Sequence, residues 1–248
     1  MVLLGYIKGV LKDEYRVTLY SEFELLCKLL PLSPGQRKQL QQAFMLSFDE
    51  HWKAPNRASG EIYFLHIFRQ VMQMMRLMVH HKVTSSKNIF LVLMTILLHD
   101  CIEDAEKAKT TPFIVYSTIV MLFRDVVAGL VQSITKNKQK ETRSSFLLRL
   151  AEHPMWQLQL CKLPDGNDNT KTLAATPLEG QAGKVREVFV YYPEIMKQLL
   201  RHLEFETREG RLSDGYQWIA LAKHMHRLLR RNAYTQKRRL ETLSIMVL

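Results

Sequence analysis

Glycine and proline are scarce in this 248-residue chain, which contains 10 glycines and 8 prolines. Methionine and leucine are common instead, and a chain with few helix breakers and many straight-chain apolar residues favours helices. The sequence contains no internal repeat, no glycine-rich phosphate loop and no convincing pair of strands. We therefore predict an all-α protein, and a hydrophobic content of 47% is enough for a substantial core.

Cysteine is also rare, and the three cysteines, Cys27, Cys101 and Cys161, form no CxxC pair. An odd number without paired spacing is unfavourable for a disulfide framework or a thiolate zinc finger. We interpret the three as small core residues in a reducing compartment, which predicts a cytoplasmic protein.

Long hydrophobic runs are missing as well. The longest one covers residues 89–98, ten in all, whereas a membrane-spanning helix needs about 20 apolar residues. The N-terminal apolar run is shorter than a signal peptide requires and soon meets Lys12, Asp13 and Glu14. These absences predict a soluble protein with no membrane partner.

Acidic residues are outnumbered, 24 against 35 Lys and Arg, which gives a formal net charge of +11. Such a balance is typical of proteins with an anionic partner, which could be a nucleotide, a nucleic acid or a membrane surface. A basic solvated surface without a partner explains the charge equally well, so composition does not choose among these possibilities.

Local signals divide the chain into helices. Ser33, Pro34 and Gln36 form a capping box with proline at the first helical position, which predicts a helix to about Trp52. Thr111 and Pro112 begin another helix in the same way. Further helices are expected within residues 1–32 (one or two short ones), around 67–78, and over 86–104, 145–152, 154–163, 184–206 and 216–248 (one or two). The segment 170–183 is expected to be the longest loop.

The segment 97–104, LLHDCIED, ends the longest apolar run and carries four ionisable residues. His99 and Glu103 are four residues apart, and so are Asp100 and Asp104, so each pair stacks on one face of a helix. The result is a His-Asp layer beside a Glu-Asp layer. The first suits a metal ion, and the second suits groups that transfer protons next to it.

Three helical segments supply candidate metal ligands: His66 on the first, His99 and Asp100 on the second, and Asp165 on the third. A mixed set of imidazole nitrogens and carboxylate oxygens suits Mn²⁺, Fe²⁺ or a catalytic Zn²⁺. Taken alone, a histidine such as His66 is more often a core residue than a ligand. The combination predicts a divalent metal site, at which water is acidified and phosphate charge is neutralised.

The order His, His-Asp, Asp resembles that of the HD-domain phosphohydrolases, and four motifs resemble the SpoT-type (p)ppGpp hydrolases over roughly residues 43–205. LLHDCIED at 97–104 is similar to their LLHDxxED. FRDVVAGLVQSITK at 123–136 is similar to their F-x-x-x-V-x-x-L-V-x-x-V-T-K. KLPD at 162–165, followed by Asn169, is similar to their K-L-A-D-x-x-x-N, and YFLH at 63–66 to their P-Y-I-x-H, with Ile62 in place of proline.

This resemblance implies an activity and a set of roles. The family removes the 3′-diphosphate of (p)ppGpp with Mn²⁺ as cofactor, so one Mn²⁺ per chain is expected, although other divalent ions suit the ligands. The implied metal ligands are His66, His99, Asp100 and Asp165. Glu103 and Asp104 would orient and activate the attacking water, since a carboxylate must accept its proton.

The implied partner is a small anionic nucleotide rather than a nucleic acid. The resemblance implies that Asn169 contacts this nucleotide. Its phosphates need basic partners, and Lys53, Arg57, Lys162 and Lys184 are the candidates. Lys184 stands near the position of a basic substrate-binding residue in the family.

The resemblance implies a single HD-domain helical bundle of about eight to ten helices over residues 1–248. Its core would span about 36–206, with an N-terminal helical extension (1–35) and a basic C-terminal helical extension (207–248). The chain departs from the family at Pro164 and Gly166, which flank Asp165. Both residues disfavour a continuous helix, so we expect a break that leaves Asp165 and Asn169 without a guaranteed common face.

Three functions fit these observations. The first is a small stand-alone alarmone hydrolase. The second is an HD phosphohydrolase that acts on another nucleotide, such as NADPH or a nucleoside polyphosphate, because relatives share a site and differ in the pocket. The third is a non-catalytic nucleotide-binding regulator with a site weakened at residues 164–169. The Glu103–Asp104 pair is unfavourable for the third, since a binder has no need of an activating acid pair.

Overall fold

The computed structural model describes residues 2–57 and 59–247, with backbone alone for residues 2–11, 179 and 244–247. Every regular element in this part of the chain is a helix, which confirms the all-α prediction. The helices are α1 (Val2–Leu29), α2 (Pro34–Lys53), α3 (Phe64–His80), α4 (Ser86–Glu103), α5 (Pro112–Ile134), α6 (Arg143–Glu152), α7 (Trp156–Lys171), a 3₁₀ helix (Leu173–Ala175), α8 (Leu178–Val190), α9 (Tyr192–Arg208) and α10 (Gly215–Val247).

The two predicted helix starts are confirmed. Before α2, the Ser33 hydroxyl accepts a hydrogen bond from the Gln36 amide (3.2 Å), and the Gln36 side chain accepts one from the Ser33 amide (2.8 Å). Before α5, the Thr111 hydroxyl accepts from the Ile114 amide (3.3 Å). Both caps satisfy amides that have no partner inside the helix, which is why the helices begin at these residues.

Helix α7 is the centre of the bundle, because α3, α4, α5, α6, α8, α9 and α10 all pack against it. Helix α4, the predicted buried helix, packs against α2, α3, α5 and α7. The three helices that carry the predicted ligands, α3, α4 and α7, therefore touch one another in pairs. Ligands from three separate segments can thus meet in the interior.

Both terminal segments contribute to the same apolar core. Phe23 and Cys27 of α1 are buried in it, and so are Trp218 and Met225 of α10. One long helix, α1 (Val2–Leu29), replaces the one or two short helices expected within residues 1–32, and the C-terminal segment is also one helix, α10. The C-terminal segment is therefore part of the packed bundle rather than an appendage to it.

The expected helix break at Pro164 and Gly166 does not occur, since α7 continues through both residues. Proline removes one backbone hydrogen bond and crowds the carbonyl four residues before it, and packing against the surrounding helices outweighs that cost. Gly166 makes room for a ring: a Cβ there would lie 2.6 Å from Cζ of Tyr192, whose hydroxyl donates to the Lys162 carbonyl (3.3 Å). Asp165 and Asn169 are therefore one turn apart on an intact helix.

The loop predicted for residues 170–183 is also wrong. Helix α7 runs to Lys171, a 3₁₀ turn follows, and α8 begins at Leu178. The segment 184–206, expected to be helical throughout, is divided between α8 and α9. Pro193 lies in the first turn of α9, where proline is favoured, and this explains the new helix start.

Helix α5 departs from a regular helix at Arg124, whose φ of 69° and ψ of 174° are rare for a residue with a side chain. Among the described helices, α5 is the one whose length and composition would allow it to cross a membrane. A core helix passes the same test, and Val115, Ile119, Phe123 and Val127 of α5 are buried.

Candidate active site

Three of the predicted ligands meet in the interior. The potential ligand atoms of His66 on α3, His99 on α4 and Asp165 on α7 all lie within 4.8 Å of one another, and the three residues are buried. The helix contacts described above produce this convergence. The sequence spacing could predict only the neighbours on α4.

The ring of His99 is oriented by a backbone carbonyl one turn earlier. Its Nδ1 donates to the Ile96 carbonyl (2.9 Å), so in the neutral imidazole Nε2 carries the lone pair. That Nε2 is buried, has no hydrogen-bond partner among the described residues, and faces Asp100 Oδ1 at 3.2 Å. Two electron-rich atoms at this separation fit a cation shared between them. A ring nitrogen oriented by a hydrogen bond at the other nitrogen is the usual arrangement of a metal-binding histidine.

His66 is oriented by Asp168. Its Nδ1 donates to Asp168 Oδ2 (2.7 Å), and its Nε2 lies 3.2 Å from Asp165 Oδ1. The Gln70 amide donates to this Nε2 (2.8 Å), a hydrogen bond that must open before Nε2 can bind an ion. His66 therefore has the same carboxylate-oriented geometry as a metal ligand.

Asp168 was missed by the sequence analysis, and it is the most heavily bonded carboxylate beside the site. The Arg69 guanidinium donates to both of its oxygens, at 2.6 and 2.8 Å, and Arg57 donates at 3.3 Å. Burial raises the pKa of Asp168, but the hydrogen bonds from Arg69 and His66 outweigh burial and hold that pKa well below its usual value. Its position three residues after Asp165, on the same helix, was the available signal.

The negative charge of Asp165 is compensated by side chains of its own helix. The Lys162 ammonium pairs with Oδ2, and the Asn169 amide donates to Oδ1 (2.7 Å). Burial raises the pKa of Asp165, but the opposing effect of Lys162 and His66 is larger. The net pKa is lowered, so the carboxyl group stays ionised. The predicted ligand Asp165 and the predicted nucleotide contact Asn169 are therefore in direct contact.

A cavity of about 350 Å³ adjoins these residues and has walls of opposite charge. Four carboxylates line it, those of Asp100, Glu103, Asp165 and Glu187. The basic lining consists of Arg143 from α6, Lys162 from α7 and Lys184 from α8, with Arg143 held by Glu187 (3.1 Å). A cavity of this kind suits an anion that bridges a cation and basic side chains.

Arg143 was also missed, because no local pattern in the sequence relates it to the other site residues. Lys184 lies half-buried in the same wall, and burial, together with the charges of Arg57 and Arg143, lowers its pKa. The positive charges of these basic side chains therefore repel one another in the absence of an anion. An added phosphate would relieve this repulsion.

Glu103 and Asp104 differ in position. Glu103 lines the cavity, and burial, followed by the nearby Asp100 charge, raises its pKa. Asp104 follows the last residue of α4, is buried outside the cavity lining, and pairs with Lys107 (2.7 Å) and more loosely with Lys138 (3.7 Å). In the described structure only Glu103 of the two faces the substrate space.

Two of the predicted basic residues lie outside the cavity lining. Arg57 instead donates to Asn169 Oδ1 (3.0 Å) and to Asp168, so it holds these two side chains in position beside the cavity. Lys53 ends α2, is 52% exposed at its side chain, and pairs with Glu50 (2.8 Å). The helix direction points Lys53 to solvent, and the structure does not bring it to the site.

Tyr63 completes the wall beside Asp100. Its hydroxyl donates to Asp100 Oδ2 (3.3 Å), and its ring stacks on the buried His51 at 5.2 Å between centroids. Burial, together with the charges of Asp100 and Asp104, raises the pKa of Tyr63, which keeps the hydroxyl protonated as a donor. Tyr63 therefore holds the Asp100 carboxylate in place.

No protein-family model matches the chain, and no curated protein matches it. A solved structure with some likeness to it is a metazoan ortholog of SpoT that hydrolyzes ppGpp and plays a role in starvation responses. The sequences are 24% identical, and the match covers 72% of this chain and 97% of that chain, with a TM-score of 0.45.

Proposed function

We propose that the protein is an HD-type phosphohydrolase that removes the 3′-diphosphate of (p)ppGpp, giving GDP or GTP and pyrophosphate. The observation that supports this is the meeting of His66, His99 and Asp165 on three buried helices, with Asp100 beside His99. The order of these residues along the chain is that of the HD-domain family, and the cavity beside them is lined by basic residues.

The donor set fits a divalent ion. The buried Nε2 of His99 has no hydrogen-bond partner among the described residues, and imidazole and carboxylate ligands together suit Mn²⁺ among other divalent ions. We propose that His66, His99, Asp100 and Asp165 hold one such ion. When bound, it supplies Lewis-acid chemistry that acidifies water and neutralises phosphate charge.

The protein's own residues then have distinct tasks. Glu103, in the cavity and with a raised pKa, is placed to accept the proton of the attacking water. Lys162, Lys184 and Arg143 bind the phosphates, and Asn169 contacts the nucleotide. Attack at the phosphorus attached to the 3′ oxygen breaks that P–O bond. The 3′ hydroxyl and intact pyrophosphate are the products.

Product analysis tests this proposal. Purified protein with Mn²⁺ is given ppGpp, pppGpp, NADPH and dNTPs, and the products are separated by chromatography. We expect GDP and pyrophosphate from ppGpp. Orthophosphate from ppGpp, or phosphate from NADPH with no reaction of ppGpp, would instead support an HD phosphohydrolase with another nucleotide substrate. Tight nucleotide binding without turnover would support a regulator.

The regulator is less favoured than the sequence alone suggested. That hypothesis depended on a site weakened by Pro164 and Gly166, whereas α7 is continuous and Asn169 contacts Asp165.

The three cysteines, which are free and buried, fit our proposal of a soluble cytoplasmic protein.

His99→Ala should abolish the bound ion. Protein dialysed against Mn²⁺ is expected to retain about one ion per chain, and removal of the His99 lone pair breaks the ligand set. Metal analysis of wild type and variant measures this directly. His153→Ala, a histidine on the loop between α6 and α7, serves as the control and should keep its ion. Equal metal content in His99→Ala and wild type would exclude the site.

Lys184→Ala should raise KM more than it lowers kcat. A phosphate held equally in the ground state and the transition state contributes uniform binding, which appears in KM alone. Lys53→Ala is the matched control, because Lys53 is exposed and lies outside the cavity lining. Steady-state kinetics on both variants decides the matter. Similar changes in KM for the two lysines would remove Lys184 from the binding site.

A further inference from the structure

A second cluster of potential ligands lies at the other end of α3. His80, His81 and His224 place one ring nitrogen each within 4.8 Å of one another. His66 and His80 are fourteen residues apart on α3, which corresponds to about 21 Å along a helix. This histidine cluster is therefore separate from the candidate active site.

The rings of the cluster are closely associated. His81 Nε2 lies 3.2 Å from His224 Nδ1, and the ring centroids of His80 and His81 are 4.8 Å apart. His80 is exposed and the other two are half-buried, so the group is open to solvent on one side. Among the described residues, the cluster contains no carboxylate or thiol ligand.

The end of α3 makes this convergence possible. Adjacent residues inside a helix point about 100° apart and do not face a common partner. His80 is the last residue of α3, and His81 leaves the helix with φ of −86° and ψ of 2°. The two neighbouring imidazoles can therefore both approach His224, which α10 supplies from more than 140 residues along the chain.

We propose that His80, His81 and His224 bind a divalent transition-metal cation of the Zn²⁺ class. Imidazole nitrogen is a preferred ligand for Zn²⁺, Ni²⁺ and Cu²⁺, and three histidines leave a fourth position for water. An oxygen-preferring ion such as Mg²⁺ or Ca²⁺ finds no carboxylate in the described part of the cluster.

The surroundings of the cluster include a basic side chain. His81 and His224 are half-buried, and Arg227 follows His224 by three residues on α10. The positive charge of Arg227 opposes a cation, and it limits the affinity without removing the ligands.

A cation at this cluster would link α10 to α3. These helices are already connected through α7, because the Asn232 amide donates to Asn167 (2.7 Å) and the Asn167 amide donates to Gln73 (2.9 Å). Metal binding adds a direct connection between the two helices. It stabilises the bundle by mass action, since the unfolded chain lacks the convergent site.

Zinc binding by the full chain tests this inference, in a His99→Ala background that removes the active-site ion. That protein should bind one Zn²⁺ in equilibrium dialysis and melt about 3–6 °C higher at a zinc concentration ten times Kd. Adding His224→Ala or, independently, His81→Ala should abolish both effects. His226→Ala, on the same helix but outside the cluster, should leave both unchanged.

Circular dichroism melts without zinc show whether each variant is folded, and only folded variants are compared. Loss of zinc with His224→Ala and with His81→Ala, but not with His226→Ala, supports the site. No bound zinc in the His99→Ala protein, or equal zinc content after His224→Ala, overturns it. Neither outcome depends on the nucleotide substrate, so this inference and the proposed function fail separately.

Discussion

Glu103→Gln should lower turnover by about 100-fold or more, the usual contribution of a general base, while nucleotide binding is retained. The amide has the size of the carboxyl group but cannot accept a proton from water. Because Glu103 lines the cavity and does not belong to the proposed ligand set, the variant should also keep its metal ion. Single-turnover kinetics, nucleotide titration and metal analysis together separate loss of chemistry from loss of binding.

Asp104→Asn is the matched control for this experiment. Asp104 is adjacent in sequence and also carries a carboxyl group, yet it lies outside the cavity lining and pairs with Lys107. We expect a smaller loss of turnover than in Glu103→Gln. If Glu103→Gln retained turnover within a few-fold, or if Asp104→Asn were the more damaging change, the assignment of Glu103 as the base would be wrong.

Asp168→Ala should reduce the free energy of unfolding by about 2–4 kcal/mol. Breaking a buried ion pair costs roughly 3–5 kcal/mol. We expect a smaller loss of unfolding free energy here, because the Arg69 side chain is partly exposed to solvent. The change leaves Arg69 and Arg57 without this carboxylate and frees the ring of His66. Urea unfolding measures the loss.

A matched change at the edge of the same network provides the control. Glu61→Ala removes the other carboxylate of Arg69 but leaves the Asp168–His66 hydrogen bond in place. It should destabilise the protein less than Asp168→Ala does, and it should preserve metal content. Asp168→Ala should also weaken the binding of the metal ion. A loss below about 1 kcal/mol for Asp168→Ala would contradict the role we give this network.

The elements that depend on local chemistry were predictable from the sequence. The capping box at Ser33, the Thr111–Pro112 start and the buried helix before His99 each follow from neighbouring residues. The stacking of Glu103 on His99 and of Asp104 on Asp100 follows from the helical repeat alone. The meeting of His66 with Asp165 does not, since no spacing rule relates residues 99 positions apart, and it came from the family resemblance.

The failures have one physical cause, which is tertiary packing. Pro164 and Gly166 have poor helix propensity, which costs a few kcal/mol. The packing of α7 against the surrounding helices stabilises it by more than this cost. Asp168 and Arg143 acquire their roles through partners from other helices, Arg69 and Glu187, that no local pattern indicates. The prediction for Lys53 was wrong for the same reason, because the packing of α2 leaves this lysine exposed to solvent.

The contact between Gly166 and Tyr192 has a consequence for how this sequence can change over evolutionary time. Any side chain at position 166 occupies the space of the Tyr192 ring, so the two positions cannot vary independently. Among descendants of this chain, a larger residue at 166 should be found only with a smaller one at 192. The pair should therefore appear as a covarying couple that links the ligand-bearing helix to α9.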